Sequence, residues 1–128
     1  MTTTPRQLTP AQAAEQSGFS LDTLRYYERI GLLTGIDRAA SGHRRFTADD
    51  LAWLAVLRCL RDTGMPIASM RRYAQLGRSG NSPENLTERI ELLEDHDASV
   101  EEQIARLRAQ QQHLREKIAY YRAELGNA

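Results

Sequence analysis

A seven-residue apolar repeat running unbroken from Leu86 to Leu125 restricts what this chain can fold into more than any other feature. One set of seam positions is Ile90, Asp97, Ile104, Gln111, Ile118 and Leu125; the alternating set is Leu86, Leu93, Val100, Leu107, Leu114 and Tyr121. Steps of four and three alternate without a slip, beyond the roughly three to four heptads that mark a coiled coil. Glu88, Glu91, Glu94, Glu101, Arg106, Arg108, Glu116 and Lys117 lie off the seam, so a lone helix would leave a long apolar stripe in water. No other segment is long enough to cover it. The expected cover is the same helix of a second subunit, in a two-fold homodimer. Ile in one set and Leu in the other favours parallel strands on residue pattern alone. Asp97 and Gln111 cost seam stability and fix register, or else Asp97 sits where the helix has not yet met its partner.

The 128 residues carry no formal net charge, which by itself argues against a polyanionic partner. The distribution argues otherwise. Up to Arg78 there are 11 Lys/Arg against 7 Asp/Glu, and from Ser79 onward 6 against 10. A basic front and an acidic rear read as a binding domain joined to an element of different use. The turn-rich Gly77–Pro83 stretch divides them, giving a front domain over 1–78, a linker over 79–83 and a coiled-coil helix over 84–128. The single cysteine, Cys59, excludes an intramolecular disulfide and fits a reducing compartment. With no apolar run near the roughly 20 residues of a membrane span and no signal-peptide core, a cytoplasmic protein without membrane contact is expected.

The front domain opens with Thr9-Pro10-Ala11-Gln12, an N-cap with Pro at the first helical position, and that helix stops at Gly18. Ser20 caps a second helix ending at Gly31. Two short helices around a Gly-containing turn form a helix-turn-helix, whose second helix commonly enters the DNA major groove. In that helix Leu21, Leu24 and Tyr27 share one face; Asp22, Arg25, Tyr26 and Arg29 share the other, with Thr23 at its edge. Arg pairs bidentately with phosphate and Tyr donates to it, although such a face alone also reads as ordinary solvated surface. Beyond it, Ser41-Gly42 marks a turn in a two-stranded ribbon carrying His43, Arg44 and Arg45, a wing anchored by Phe46. Thr47 caps a third helix with Trp53, Val56, Leu57 and Leu60 inward and Arg58, Arg61 and Asp62 facing away. A short helix over 68–76 then buries Met70, Tyr73, Ala74 and Leu76 in part, and Arg71 and Arg72 either extend the basic surface or are simply solvated. The fold expected is all-α with a small β wing: a winged helix-turn-helix followed by a long dimerisation helix.

Arg25-Tyr26-Tyr27-Glu28 with Gly31-Leu32-Leu33, Arg38, the wing Gly42-His43-Arg44-Arg45-Phe46, Asp50-Leu51, Leu57 and Gly64-Met65 stand in an ordered set before the long helix. From about Leu8 to the end of the coil, the chain resembles the MerR family of transcriptional regulators. The resemblance implies an antiparallel coiled coil, in place of the parallel one that Ile/Leu placement favours. It also implies a homodimer on a near-palindromic operator in double-stranded promoter DNA. The activated dimer would bend and untwist the duplex, bringing promoter elements into register for RNA polymerase. Ser20, Thr23, Arg25, Tyr26 and Arg29 would then meet DNA from the second helix, and His43, Arg44 and Arg45 from the wing, with Tyr27 and Phe46 in the core. Two departures stand out. Gly35 occupies a loop position where the family usually has Pro, and His43 one where it often has Tyr.

The segment from Leu57 to Met65 resembles the branch of that family responding to aldehydes, electrophiles or nitrosative stress, which implies Cys59 as sensor. The residues leave two readings open. Cys59 lies at the margin of the apolar face, near Ala52, Ala55 and Thr63, where a packed structural thiol is as natural as a reactive one; Arg58 and Arg61 project elsewhere and Asp62 disfavours a thiolate. The alternative effector is a small ligand between subunits. No metal and no cofactor are expected, because the coil has no cysteine and His96 and His113 are solitary. With only Gly126-Asn127-Ala128 beyond the seam, no appended ligand domain is expected. An enzyme is not expected, since no nucleophile–base pair or phosphate loop occurs. A coiled-coil adaptor whose front domain binds protein is the alternative from another class.

Overall fold

The first three helix starts are set by side-chain oxygens that satisfy free N–H groups. A computed structural model describes residues 7–40, 42 and 44–128, with Asp37 described by its backbone alone. Helix α1 (Pro10–Ser17) opens on a capping box: Gln12 N donates to Thr9 Oγ1 at 3.2 Å and Thr9 N to Gln12 Oε1 at 2.9 Å. Helix α2 (Leu21–Arg29) is capped by Ser20 Oγ, which accepts from Thr23 N at 3.1 Å. Helix α3 (Ala48–Asp62) repeats the box with Thr47 and Asp50. Each such cap is worth about 1 kcal/mol. Between α2 and α3, strands β1 (Asp37–Arg38) and β2 (Arg44–Arg45) pair antiparallel, Asp37 opposite Arg45 and Arg38 opposite Arg44. Leu8 joins the base of this ribbon through two 2.8 Å backbone bonds with Phe46. Gly42 turns at φ +87° and donates its N–H to Ala39 O. Ser41 and His43, the remaining residues assigned to the wing tip, lie outside the described residues.

The core gathers around Phe19, Leu24, Tyr27, Phe46, Leu54 and Leu57. Tyr27 meets Phe19 edge-on at 5.3 Å, and burial pushes its phenol above the ordinary tyrosine value. The buried stripe of α3 is Leu54, Leu57 and Leu60, at helical spacing, and Val56 is exposed, against the inward placement expected of it. One residue of rotation around the helix accounts for the difference. Trp53 is half-buried because its Nε1–H reaches Leu32 O at 2.7 Å and its ring stacks on Tyr73 at 5.8 Å. Leu21, the first residue of α2, is exposed rather than on the core face with Leu24 and Tyr27.

Arg58 and Arg61 do not simply face away. Arg58 Nη1 donates to Ser17 O at 3.0 Å, and the Arg61 guanidinium lies 4.5 Å from the centroid of the Phe19 ring. Asp62 ties both together, and the hydrogen bond from Arg61 holds its carboxyl below the ordinary aspartate value. Gly18 turns at φ +78° beneath this clamp, and a Cβ there would stand 1.8 Å from Arg58 Nη1. Only glycine satisfies both conditions without strain.

Helix α4 (Ile67–Arg78) is longer than its sequence signal, and α5 runs from Pro83 to Gly126. Residues 79–82 connect the two helices without helical structure, and the chain packs as two units that divide within α5, between Arg89 and Ile90. Hydrogen bonds explain the position. Asn85 is buried, donates Nδ2–H to Leu76 O at 2.8 Å and accepts from Arg89 Nε at 2.7 Å. Arg89 also donates to Gly80 O, and Arg72 pairs with both carboxylate oxygens of Glu88 at 2.9 Å. Arg72 is therefore neither free basic surface nor merely solvated. In the second unit Ile90, Leu93, Ile104, Leu107, Leu114, Ile118, Tyr121 and Leu125 are all exposed within the single chain. Among the described residues no helix is long and apolar enough to cross a membrane.

Candidate nucleic-acid interface

Helix α2 divides as its periodicity requires: Leu24 and Tyr27 are buried, and Arg25, Tyr26 and Arg29 are exposed on the opposite face. Arg25 lies 3.7 Å from Asp22, an exposed ion pair of little worth that a phosphate can replace. Arg29 sits 5.6 Å from the centroid of the Tyr26 ring, holding a cation and a phenol side by side. Ser20 and Thr23 stand at the N-terminal end of this face with their hydroxyls 2.9 Å apart, so Ser20 serves first as the helix cap.

Glu28 joins this face to the wing. Its Oε2 lies 2.7 Å from Arg44 Nε, and its Oε1 lies 3.5 Å from Arg38 Nη2. Arg44 Nε is buried and its N–H is not aligned for a hydrogen bond, so that contact is an ion pair by proximity. Arg38 closes the ribbon by donating to Gly42 O at 3.2 Å. One carboxylate thus holds both strands of the wing against α2. Around it, Arg25, Arg29 and Arg44 line a concavity of about 390 Å³. Arg25, Arg29, Arg38 and Arg44 against Asp22 and Glu28 leave an excess of positive charge, the electrostatics that a phosphate backbone requires.

Of the residues singled out in the sequence, Arg25, Tyr26, Arg29 and Arg44 come together on this surface. Arg45 is half-buried on β2 opposite Asp37, and His43 lies outside the described residues. Cys59 is exposed within the single chain. It lines a different cleft, of about 430 Å³, with Gln16, Ser17, Leu51, Ala55, Arg58 and Asp62. Glu28 and Arg38 belong to the sequence motif but not to the site residues expected from it; an acid set among cations is the signal that points to them. No group of three or more metal-ligating side chains occurs among the described residues.

Residues 8–76 match the family described as MerR HTH family regulatory protein, and residues 51–117 match MerR, DNA binding. The chain belongs to the MerR family. An uncharacterized HTH-type transcriptional regulator of Haemophilus influenzae is 41% identical over 113 residues, 88% of this chain and 82% of that protein. The crystal structure of HiNmlR, a MerR family regulator lacking the sensor domain, bound to promoter DNA, superposes with a TM-score of 0.82 at 39% identity, covering 91% of each chain. A MerR family transcriptional regulator from Bacillus thuringiensis gives a TM-score of 0.77 at 26% identity, covering 89% of this chain and 98% of that one. The mostly helical fold with its small wing and long final helix is the MerR fold, and this chain is a MerR-type DNA-binding transcriptional regulator, not an enzyme.

Proposed function

We propose that the chain acts as a homodimer on a near-palindromic operator in promoter DNA, with one α2 in each of two major-groove half-sites and the wings on the flanking backbone. The observation that carries this reading is the Glu28-centred surface, on which Arg25, Arg29 and Arg44 converge from a helix and a ribbon. A phosphate seated there touches α2 and wing together, fixing the angle at which the helix enters the groove. Two such heads, held at a set spacing by the coil, select a bent and untwisted duplex, because phosphate contacts offset the deformation cost. The distorted promoter then presents its elements in register to RNA polymerase. Fluorescence anisotropy with a duplex of the chain's own promoter tests this. The double substitution Arg25→Glu with Arg44→Glu is expected to abolish salt-sensitive binding; unchanged affinity would overturn the assignment.

Cys59 supplies the stress-responsive part of the proposal. Its exposure in an open cleft supports access by a small electrophile. With an aldehyde, the sulfur forms a bond to the carbonyl carbon and the thiol proton passes to the carbonyl oxygen, with no redox partner. Cys59→Ser is expected to bind operator normally but to lose promoter activation under aldehyde challenge. Full activation by the serine variant would instead favour an unmodified small-molecule effector.

A further inference from the structure

A cavity of about 380 Å³ lies wholly within the first packing unit and shares no lining residue with the Glu28-centred surface or the Cys59 cleft. Its volume stands near the lower end of the roughly 300–1,000 Å³ usual for small-molecule sites, which suits one or two rings. Leu32, Ala74 and the stacked rings of Trp53 and Tyr73 supply an apolar wall. Asp49, Arg78 and Arg89 supply the charges. Asp50 also borders the cavity, but its carboxylate is taken up by the Thr47 cap. Arg89 is fixed in place, Nε donating to Asn85 Oδ1 and Nη2 to Gly80 O and Asn81 Oδ1, while its Nη1 has no partner among the described residues. Arg78 uses only Nη1, on Gly31 O at 2.9 Å. The Asp49 carboxylate has neither an ion pair nor a hydrogen bond among the described residues. Two guanidiniums with donors to spare thus meet one uncommitted carboxylate, a surplus of one positive charge beside a pair of aromatic rings.

We propose that this cavity binds a small aromatic carboxylate bearing a ring hydroxyl. The flat ring packs against Trp53 and Tyr73, where its apolar area leaves water. Its carboxylate accepts charge-assisted hydrogen bonds from Arg78 and Arg89, and its hydroxyl donates to Asp49. A neutral aromatic leaves the surplus charge unanswered, and an aromatic cation meets two guanidiniums. Because Arg89 is already held by three hydrogen bonds, its contribution carries little ordering cost. The site also adjoins the reading helix. Arg78 holds Gly31 O and Trp53 Nε1 holds Leu32 O, the carbonyls of two residues that follow α2 closely. A ligand carboxylate competes with Gly31 O for Arg78, so occupancy changes the hold on the chain just beyond α2.

Trp53 is the only tryptophan of the chain, so its indole N–H gives a single NMR resonance that reports on the cavity wall. The full chain is titrated with meta- and para-hydroxybenzoate in the absence of DNA, which makes the outcome independent of operator recognition. Saturable shifts of the indole resonance and of the Leu32 amide are expected, at sub-millimolar concentration for at least one isomer. The matching hydroxybenzyl alcohol, which lacks the carboxylate, is expected to bind about tenfold more weakly, and benzoate, which lacks the hydroxyl, about threefold more weakly. Hydroxybenzylamine, a cation of the same shape, is expected to leave the resonance in place. Arg78→Gln is expected to weaken hydroxybenzoate binding about tenfold. The absence of a saturable shift for either isomer in the millimolar range would overturn the proposal. An equal response to acid, alcohol and amine would also overturn it, since that marks ring stacking without recognition of charge. So would full affinity in a folded Arg78→Gln chain. The ligand series on the wild-type chain decides the matter even where that variant fails to fold.

Discussion

At the scale of single residues, the behaviour of the front domain turns on two that carry no DNA contact in their own right. Glu28 pairs with Arg44 and Arg38 and so holds the wing against α2, and in the proposed complex it would compete with phosphate for Arg44. Glu28→Gln removes both effects, so affinity for random duplex is expected to hold or rise slightly while the preference for operator falls about tenfold. Parallel anisotropy titrations on the two duplexes check this, and retained preference would mean that the wing needs no tether. Gly18 combines positive φ with a Cβ direction occupied by Arg58. Gly18→Ala is expected to cost about 2 kcal/mol in urea unfolding, since the new methyl strains the turn and displaces Arg58 from the Ser17 carbonyl. The exposed trio Arg25, Tyr26 and Arg29 was legible from helical periodicity alone. The roles of Glu28 and Arg58 were not. Their partners lie 10 to 41 residues away in sequence, where periodicity carries no information.

At the scale of elements, local chemistry determines the helix starts, and Thr9, Ser20 and Thr47 could be read as caps directly. The junction of α4 and α5 could not. Its Gly, Ser and Asn content reads as a linker, but Asn85 and Arg89 lace it to the end of α4. The inner face of α3 was placed one residue off at Val56, because a helix with apolar residues on several sides gives a poorly defined stripe. In α5 the heptad pattern is unambiguous, and its exposed leucines and isoleucines state an energetic need. Burying each is worth roughly 1.5–3 kcal/mol. Replacing Ile104 and Leu107 together by Asp places four carboxylates at the centre of the dimer. A loss of dimer affinity on the order of a hundredfold or more is expected by sedimentation equilibrium, while the helix-turn-helix unit keeps its fold. An unchanged dimer mass at micromolar concentration would show that the seam is not the interface.

At the scale of the whole molecule, a formal charge of zero conceals a basic reading domain and an acidic coil. Sequence alone separated these two roles, since net charge and heptad periodicity change at nearly the same place. What it could not supply was how helix and wing become one surface, because that depends on Arg38 and Arg44 meeting Glu28 in space. The proposed dimer is a pair of such surfaces joined by the coil. Footprinting of its promoter tests that claim most directly. Two protected half-sites related by a two-fold axis, about one helical turn apart and flanking a hypersensitive distorted centre, are the predicted result. A single protected half-site, or a pair with an undistorted centre, would contradict it.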